Sequence, residues 1–277
     1  MRVPSNPVEH RSVDTRYGSL HLKVWPAAEG EAVRRPTVVL FHGLFGDSDV
    51  WAATALNLNR AGLNVLAFDL PGHGGSYARV ATMADVVDCI REALLAGAWP
   101  SLVLVGHSFG AVVATRLAAD PALGVKGLAL LAPAGLGREV NNTFLEEVMA
   151  ATDDRELAEA LSYLTVKQQR VSSTYLRLML KRIEAARPQL RALIDEAVGP
   201  DDGLQHNSIR EDLPRLACPI VIIQGREDGV MPWRHVLNAP SEAALHLLAD
   251  VGHMPHWEAN GLTNRVLLQL VNSVEHG

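Results

Sequence analysis

Ser108 lies in the pentapeptide Gly106-His107-Ser108-Phe109-Gly110, where small residues on either side allow a turn sharp enough to push a hydroxyl outward. A serine hydroxyl is a weak nucleophile until a base takes its proton. The base needs an acid to fix its tautomer, and the substrate oxygen that gains charge needs two preorganised N–H donors. Eleven histidines compete for the base. His10, His21 and His276 fall near the termini or on an expected edge strand, His206 and His235 in surface contexts, and His246 inside a strand. His253, in Val251-Gly252-His253-Met254-Pro255, follows the last expected strand, with Gly252 and Pro255 suited to a tight loop that aims one side chain. It is the assigned base, with His256 as its rival. The acid is sought in Gly225-Arg226-Glu227-Asp228-Gly229-Val230-Met231-Pro232, again just after a strand. Asp228 is assigned, and Glu227 is expected to be a solvated carboxylate. For the oxyanion, Phe109 N–H at a helix start is one donor. Leu44 N–H in His42-Gly43-Leu44-Phe45-Gly46 is the other, with Phe45 second. His42 is expected to brace that loop.

These residues need a frame that brings positions 44, 108, 228 and 253 to one edge. Short apolar runs alternating with helical patterns predict parallel strands joined by crossover helices. Strands are expected over 37–41, 64–69, 101–106, 126–132, 219–224 and 244–249, with an edge strand over 19–25. Helices are expected over 49–62, 83–96, 109–119 and 258–274. From 134 to 213 no strand-like run occurs, only helical segments punctuated by Pro188 and Gly199-Pro200. The expected organisation is therefore a core of 1–133 and 214–277, with 134–213 as a helical lid over the carboxyl end of the sheet. Phe144, Met149, Tyr163, Tyr175 and Met179 of this insertion are candidates for an apolar acyl pocket, or for the packing of the lid itself.

Composition narrows the partners. The 277 residues are 48% hydrophobic and carry a net charge of −6, a balance without the basic footprint of a nucleic-acid or anionic-membrane binder. No apolar run approaches the roughly 18 residues of a membrane span. The stretch from Met1 to Pro7 lacks the apolar core of a signal peptide, and the two cysteines, Cys89 and Cys218, make no framework. A cytoplasmic protein acting on a small ester-like molecule is expected. Neither cofactor nor metal is expected, since no histidine pair at helical spacing stands beside a suitable carboxylate. The Gly-rich run Asp69-Leu70-Pro71-Gly72-His73-Gly74-Gly75-Ser76 lacks a phosphate loop's lysine and spacing, and reads as a tight connection after a strand.

Together, His42-Gly43-Leu44-Phe45-Gly46, Asp69 to Gly74, the Ser108 pentapeptide, Gly225-Arg226-Glu227-Asp228 and Gly252-His253-Met254 resemble the α/β-hydrolase superfamily over about residues 15 to 275. The resemblance implies a mostly parallel central sheet with helices on both faces and a lid. Leu131-Ala132-Pro133-Ala134-Gly135-Leu136-Gly137, followed by Asn141, is similar to the hydrolase portion of acyltransferase components associated with acetoin dehydrogenase. Those proteins often carry a lipoyl domain. Here only about fifteen residues precede the first expected strand, so the acyltransferase activity is not carried over. Dehalogenases and epoxide hydrolases place an aspartate where Ser108 stands. Carbon–carbon bond hydrolases typically place a tryptophan where Met254 stands. The expected activity is hydrolysis of a small carboxylic ester or thioester through an acyl-enzyme. Carbon–carbon bond or lactone hydrolysis, and a slow-turnover receptor, are the alternatives.

Overall fold

The computed structural model describes residues 7–28, 35–97, 99, 101–167, 171–199 and 201–275. The residues before Pro7, together with Pro200 and His276, lie outside them.

Along the chain run β1 (Glu9–Thr15), β2 (Gly18–Trp25), β3 (Thr37–Phe41), α1 (Ala52–Arg60), β4 (Val65–Phe68), α2 (Met83–Ala96), β5 (Leu102–His107), α3 (Phe109–Ala118) and β6 (Val125–Leu131). Then follow α4 (Asn142–Ala150), α5 (Asp154–Leu161), α6 (Ser173–Ala197), β7 (Ile220–Gly225), β8 (Ala244–Leu248), α7 (Pro255–Glu258) and α8 (Asn260–Val274). The strands form one sheet in the order β1-β2-β4-β3-β5-β6-β7-β8. β1, β2 and β4 pair antiparallel, and every pairing from β4 to β8 is parallel.

The central strands are apolar throughout because both of their faces are covered. Val39, Phe41, Leu104, Leu130 and Ile222 join Val86, Ile90 and Leu117 of α2 and α3 on one side. Val38, Leu40, Val105, Leu131 and Ile223 join Ala55, Leu58, Leu267 and Leu270 of α1 and α8 on the other. Parallel pairing brings the carboxyl ends of β3, β5, β7 and β8 to one edge, so the segments carrying Leu44, Ser108, Asp228 and His253 emerge together.

Three expectations are corrected here. β2 is not the edge strand. β1 lies outside it, so the first strand among the described residues begins at Glu9 rather than about fifteen residues in. Pro188 does not separate two helices but sits inside the 25-residue α6. The apolar positions Leu176, Met179, Ile183, Leu190, Leu193 and Ile194 keep helical spacing across it and stay buried. That continuous face outweighs the roughly 3 kcal/mol cost of an interior proline. His235 is not a surface residue: it is 4% exposed, its ring packs against Gly137, and it bonds Glu139 at 2.6 Å.

The insertion between β6 and β7 holds α4, α5 and α6 and, among the described residues, no strand beyond an isolated bridge between Val198 and Gln205. Its helices bury a third apolar cluster that includes Phe144, Leu157, Met179 and Ile183. Phe45, Val230 and Met231 from the sheet's carboxyl edge complete that cluster.

Candidate active site

β5 delivers Ser108 into a turn that then opens α3. Its backbone takes φ +52 and ψ −117, in the region L-residues avoid. The surroundings over-determine this conformation: Ser108 N–H donates to Leu131 O at 2.9 Å, and Ser108 O accepts from Ala111 N at 2.9 Å and Ala134 N at 3.3 Å. The flanking glycines are explained by close approach. A Cβ on Gly106 would overlap the carbonyl of Gly110 and the backbone of Ala111, and one on Gly110 would overlap the carbonyls of Phe41 and His42. Strain of this kind costs on the order of 1–3 kcal/mol and persists at sites that use it.

Asp228 follows β7 and His253 follows β8. Asp228 Oδ2 accepts the His253 Nδ1 proton at 2.8 Å, and the two side chains are 0% and 3% exposed. The other carboxylate oxygen accepts Val230 N and Met231 N, each at 2.8 Å, and Gln224 Nε2 donates to Oδ2 at 2.8 Å. Burial works against the charge on Asp228, yet His253 and the two backbone N–H groups outweigh it and hold the carboxyl below its ordinary value. Glu227, one residue earlier, is exposed, and among the described residues its carboxylate accepts only Val251 N, at 3.3 Å. His256, the rival base, has no hydrogen-bond partner at either ring nitrogen among the described residues. It is 1% exposed, stacks on Trp51 at 4.4 Å, and burial pushes its pKa down to about 3. Ser108 and His253 share the wall of one cavity, with no hydrogen bond between their side chains.

The loop after β3 packs against the Ser108 turn. A Cβ on Gly43 would come within 2.8 Å of His107 Nδ1 and 3.1 Å of Ser108 Cβ. His42 Nδ1–H donates to Gly43 O at 2.8 Å and its Nε2 accepts from Leu70 N at 3.0 Å, so both ring nitrogens are spent on bracing. Phe45 has φ +66, and its N–H donates to His73 Nε2 at 3.1 Å, while His73 Nδ1–H donates to Pro71 O at 3.0 Å. Phe45 N–H is therefore committed, Gly46 N–H returns to Gly43 O at 3.0 Å, and Leu44 N–H is left free among the described residues. Phe109 N–H, at the first position of α3, is likewise free.

The segment from Asp69 to Ser76 does more than connect. Asp69, 3% exposed, accepts Ser48 N at 2.6 Å, Gly75 N at 2.7 Å and His21 Nδ1 at 2.8 Å. Gly74, at φ +54, lies so close to that carboxylate that no Cβ fits. Asp69 and His73 are thus supports for the Phe45 loop that sequence reading passed over. The aromatic and charged partners they meet are far away in the chain, so the only local signal was the glycine density. Glu258 was also missed: its carboxylate accepts Gly252 N and Val166 N, each at 2.8 Å. The His253 loop is thereby tied to the insertion, and Leu164 O accepts His253 N at 2.8 Å.

The cavity encloses about 630 Å³ between the sheet edge and the insertion. Phe144, Tyr175 and Met179 line it. Met149 and Tyr163 pack within the apolar cluster of the insertion instead. Among the described residues no group of three or more His, Cys, Asp or Glu side chains could hold a metal ion, and no helix is long and apolar enough to cross a membrane. Both cysteines are free.

Comparison with known proteins adds to this geometry. A family model described as the alpha/beta hydrolase family matches residues 38–266. The chain is 32% identical over 235 residues to the dihydrolipoyllysine-residue acetyltransferase component of the acetoin cleaving system of Cupriavidus necator. The match takes in 83% of this chain and 62% of that protein, so the chain spans about three fifths of that relative's length. It is 29% identical to the 2-succinyl-6-hydroxy-2,4-cyclohexadiene-1-carboxylate synthase of Salmonella typhimurium, over 86% of this chain and 93% of that one. A meta-cleavage product hydrolase from Pseudomonas fluorescens IP01 superposes with a TM-score of 0.77 at 21% identity, covering 95% of this chain and 97% of that chain, a likeness of fold.

Proposed function

Because this chain belongs to the α/β-hydrolase family, we propose that it is a serine hydrolase that cleaves a small carboxylic ester or thioester through an acyl-enzyme. The observation that carries this reading is the strained Ser108 on the wall of the cavity that also holds His253, itself bonded to Asp228 at 2.8 Å. In this reading Ser108 Oγ attacks the acyl carbon as His253 Nε2 takes its proton. Asp228 holds the Nδ1 tautomer and stabilises the imidazolium. Charge that develops on the acyl oxygen is met by Leu44 N–H and Phe109 N–H, the second assisted by the α3 dipole. His253 then protonates the leaving alkoxide or thiolate, and water, activated by the same imidazole, releases the acid. The insertion over the sheet edge serves as the lid. Apolar walls such as Leu44, Val112, Phe144 and Met179, in a cavity of about 630 Å³, support short to medium acyl chains.

The test is turnover of p-nitrophenyl acetate and butyrate by the protein alone, with and without a chelator, beside a panel of thioesters and lactones. A burst followed by steady release is expected, indifferent to the chelator, and abolished in Ser108→Ala. A phosphonate probe should label Ser108 only. A burst without turnover would favour a receptor. An inert protein that acts only with a lipoylated partner or a divalent ion would overturn the proposal.

A further inference from the structure

We propose that Arg182, on α6, is a positioning residue for the oxyanion loop, an inference that rests on the serine hydrolase reading above. Its guanidinium Nη1 donates to Asp47 Oδ2 at 2.5 Å, and the Asp47 side chain is only 7% exposed. Among the described residues Arg182 is the one cationic side chain bonded to that carboxylate. The neighbouring charges are acidic or already engaged: Asp69 is bonded to His21 and two backbone N–H groups, and Lys23 is paired with Asp49.

Asp47 ends the loop that begins at His42. Its Oδ1 accepts Asp49 N at 2.9 Å and caps the short helical turn over Ser48–Trp51, so a swing of the carboxylate gives up that cap. Two residues earlier Phe45 sits at φ +66, its ring edge-on to Phe144 of α4 with centroids 6.0 Å apart. The free Leu44 N–H directly precedes Phe45, so its direction follows the backbone that these two anchors hold. A buried carboxylate deprived of its partner seeks water, because its desolvation is no longer compensated. Burial already lifts the Asp47 carboxyl above its ordinary value with Arg182 in place, so without that cation the group either takes up a proton or swings outward. In the proposed course it swings, which loosens the cap, frees Phe45 from its left-handed conformation and turns Leu44 N–H away from the developing oxyanion. The insertion therefore acts on chemistry as well as on substrate entry, through a charge on its longest helix.

The expected signature is a loss in kcat rather than in KM, since an oxyanion donor acts on charge present only in the transition state. Arg182→Met should lower kcat about tenfold or more, and slow phosphonate labelling of Ser108 in parallel, with KM within about threefold of wild type. Arg182→Lys should recover most of the rate. Asp47→Asn combined with Arg182→Met should also recover most of it, because asparagine keeps the cap but leaves no charge to be neutralised. A role confined to holding the insertion in place would leave the double variant as impaired as Arg182→Met and would move KM instead. Either result, or an Arg182→Met protein with wild-type kcat, overturns the assignment. If Arg182→Met does not fold, the comparison of Arg182→Lys and the double variant with wild type decides it: rates within about threefold support the assignment, and a double variant as slow as Ser108→Ala overturns it. A wild-type protein that neither turns over esters nor takes the probe would overturn the hydrolase reading itself, which no result on Arg182 alone can do.

Discussion

At the scale of single residues, the proposed chemistry asks for a base, an acid and an open donor, and the three side chains assigned to it carry local signals. Ser108, Asp228 and His253 each follow an apolar strand and each carry glycine beside them, signals that lie within five residues. His253→Ala should cost about as much turnover as loss of Ser108, because the pair acts as a unit. Asp228→Asn should cost less, though still orders of magnitude. Glu227→Gln, which removes only an exposed charge and keeps an oxygen to accept from Val251 N, should stay within a few-fold of wild type. Steady-state kinetics on the four proteins checks this, and a crippled Glu227→Gln would mean the acid is misassigned by one residue. The choice of Leu44 over Phe45 agrees with the hydrogen bonds but had no local signal behind it, because Phe45 N–H is taken by His73, twenty-eight positions away. Gly43 gives a sharper test of the same loop. Alanine there would press on His107 and Ser108, so Gly43→Ala should fold normally by circular dichroism and lose about a hundredfold in kcat, the scale of a misplacement near 1 Å.

At the scale of elements, Pro188 makes a prediction that runs against habit. Pro188→Ala should raise the melting temperature by roughly 2 °C or more, because it restores a helix hydrogen bond and removes the ring's clash one turn back. A lower melting temperature would mean that α6 is bent around the proline and packed in that bent form. The central strands could be read from the sequence because burial on both faces makes them uniformly apolar. β1 could not: Glu-His-Arg-Ser-Val-Asp-Thr is almost wholly exposed, and what makes it a strand is its seven-residue pairing with β2 rather than any apolar pattern. α6 was misread for the converse reason. A proline is a local signal for a break, and the buried stripe that overrides it is spread over nineteen residues.

At the scale of the whole molecule, buried imidazoles set the response to acid. Burial pushes His73 and His256 down to about 3, and it also lowers His42 and His107. An unfolded chain protonates each near 6.5, so between about 6.5 and about 3 the unfolded state binds more protons and folding stability falls as pH falls. The fall is about 1.4 kcal/mol per pH unit for each fully neutral group. Asp228 adds to the loss only at lower pH: its stabilisation is complete above about 3.9 and disappears as pH falls through its depressed value. Urea unfolding at pH 7.5, 6, 5 and 4 should show this steep decline, and His256→Phe, which keeps the stack on Trp51, should flatten it. A profile identical in the variant would show that His256 titrates normally.

The ties between insertion and core also bear on how such a protein could diverge. Arg182 on Asp47, Leu164 O on His253 N, and Val166 N on Glu258 are anchorages that any replacement of residues 134–213 would have to reproduce, whatever its cavity-facing side chains. If Arg182 acts as proposed, a replacement segment lacking a cation for Asp47 would change the selectivity and degrade the rate at once. New substrates are therefore more accessible through point changes between the anchorages, at positions such as Phe144, Tyr175 and Met179, than through exchange of the whole segment. A lineage built on this frame would drift in taste while keeping its grip.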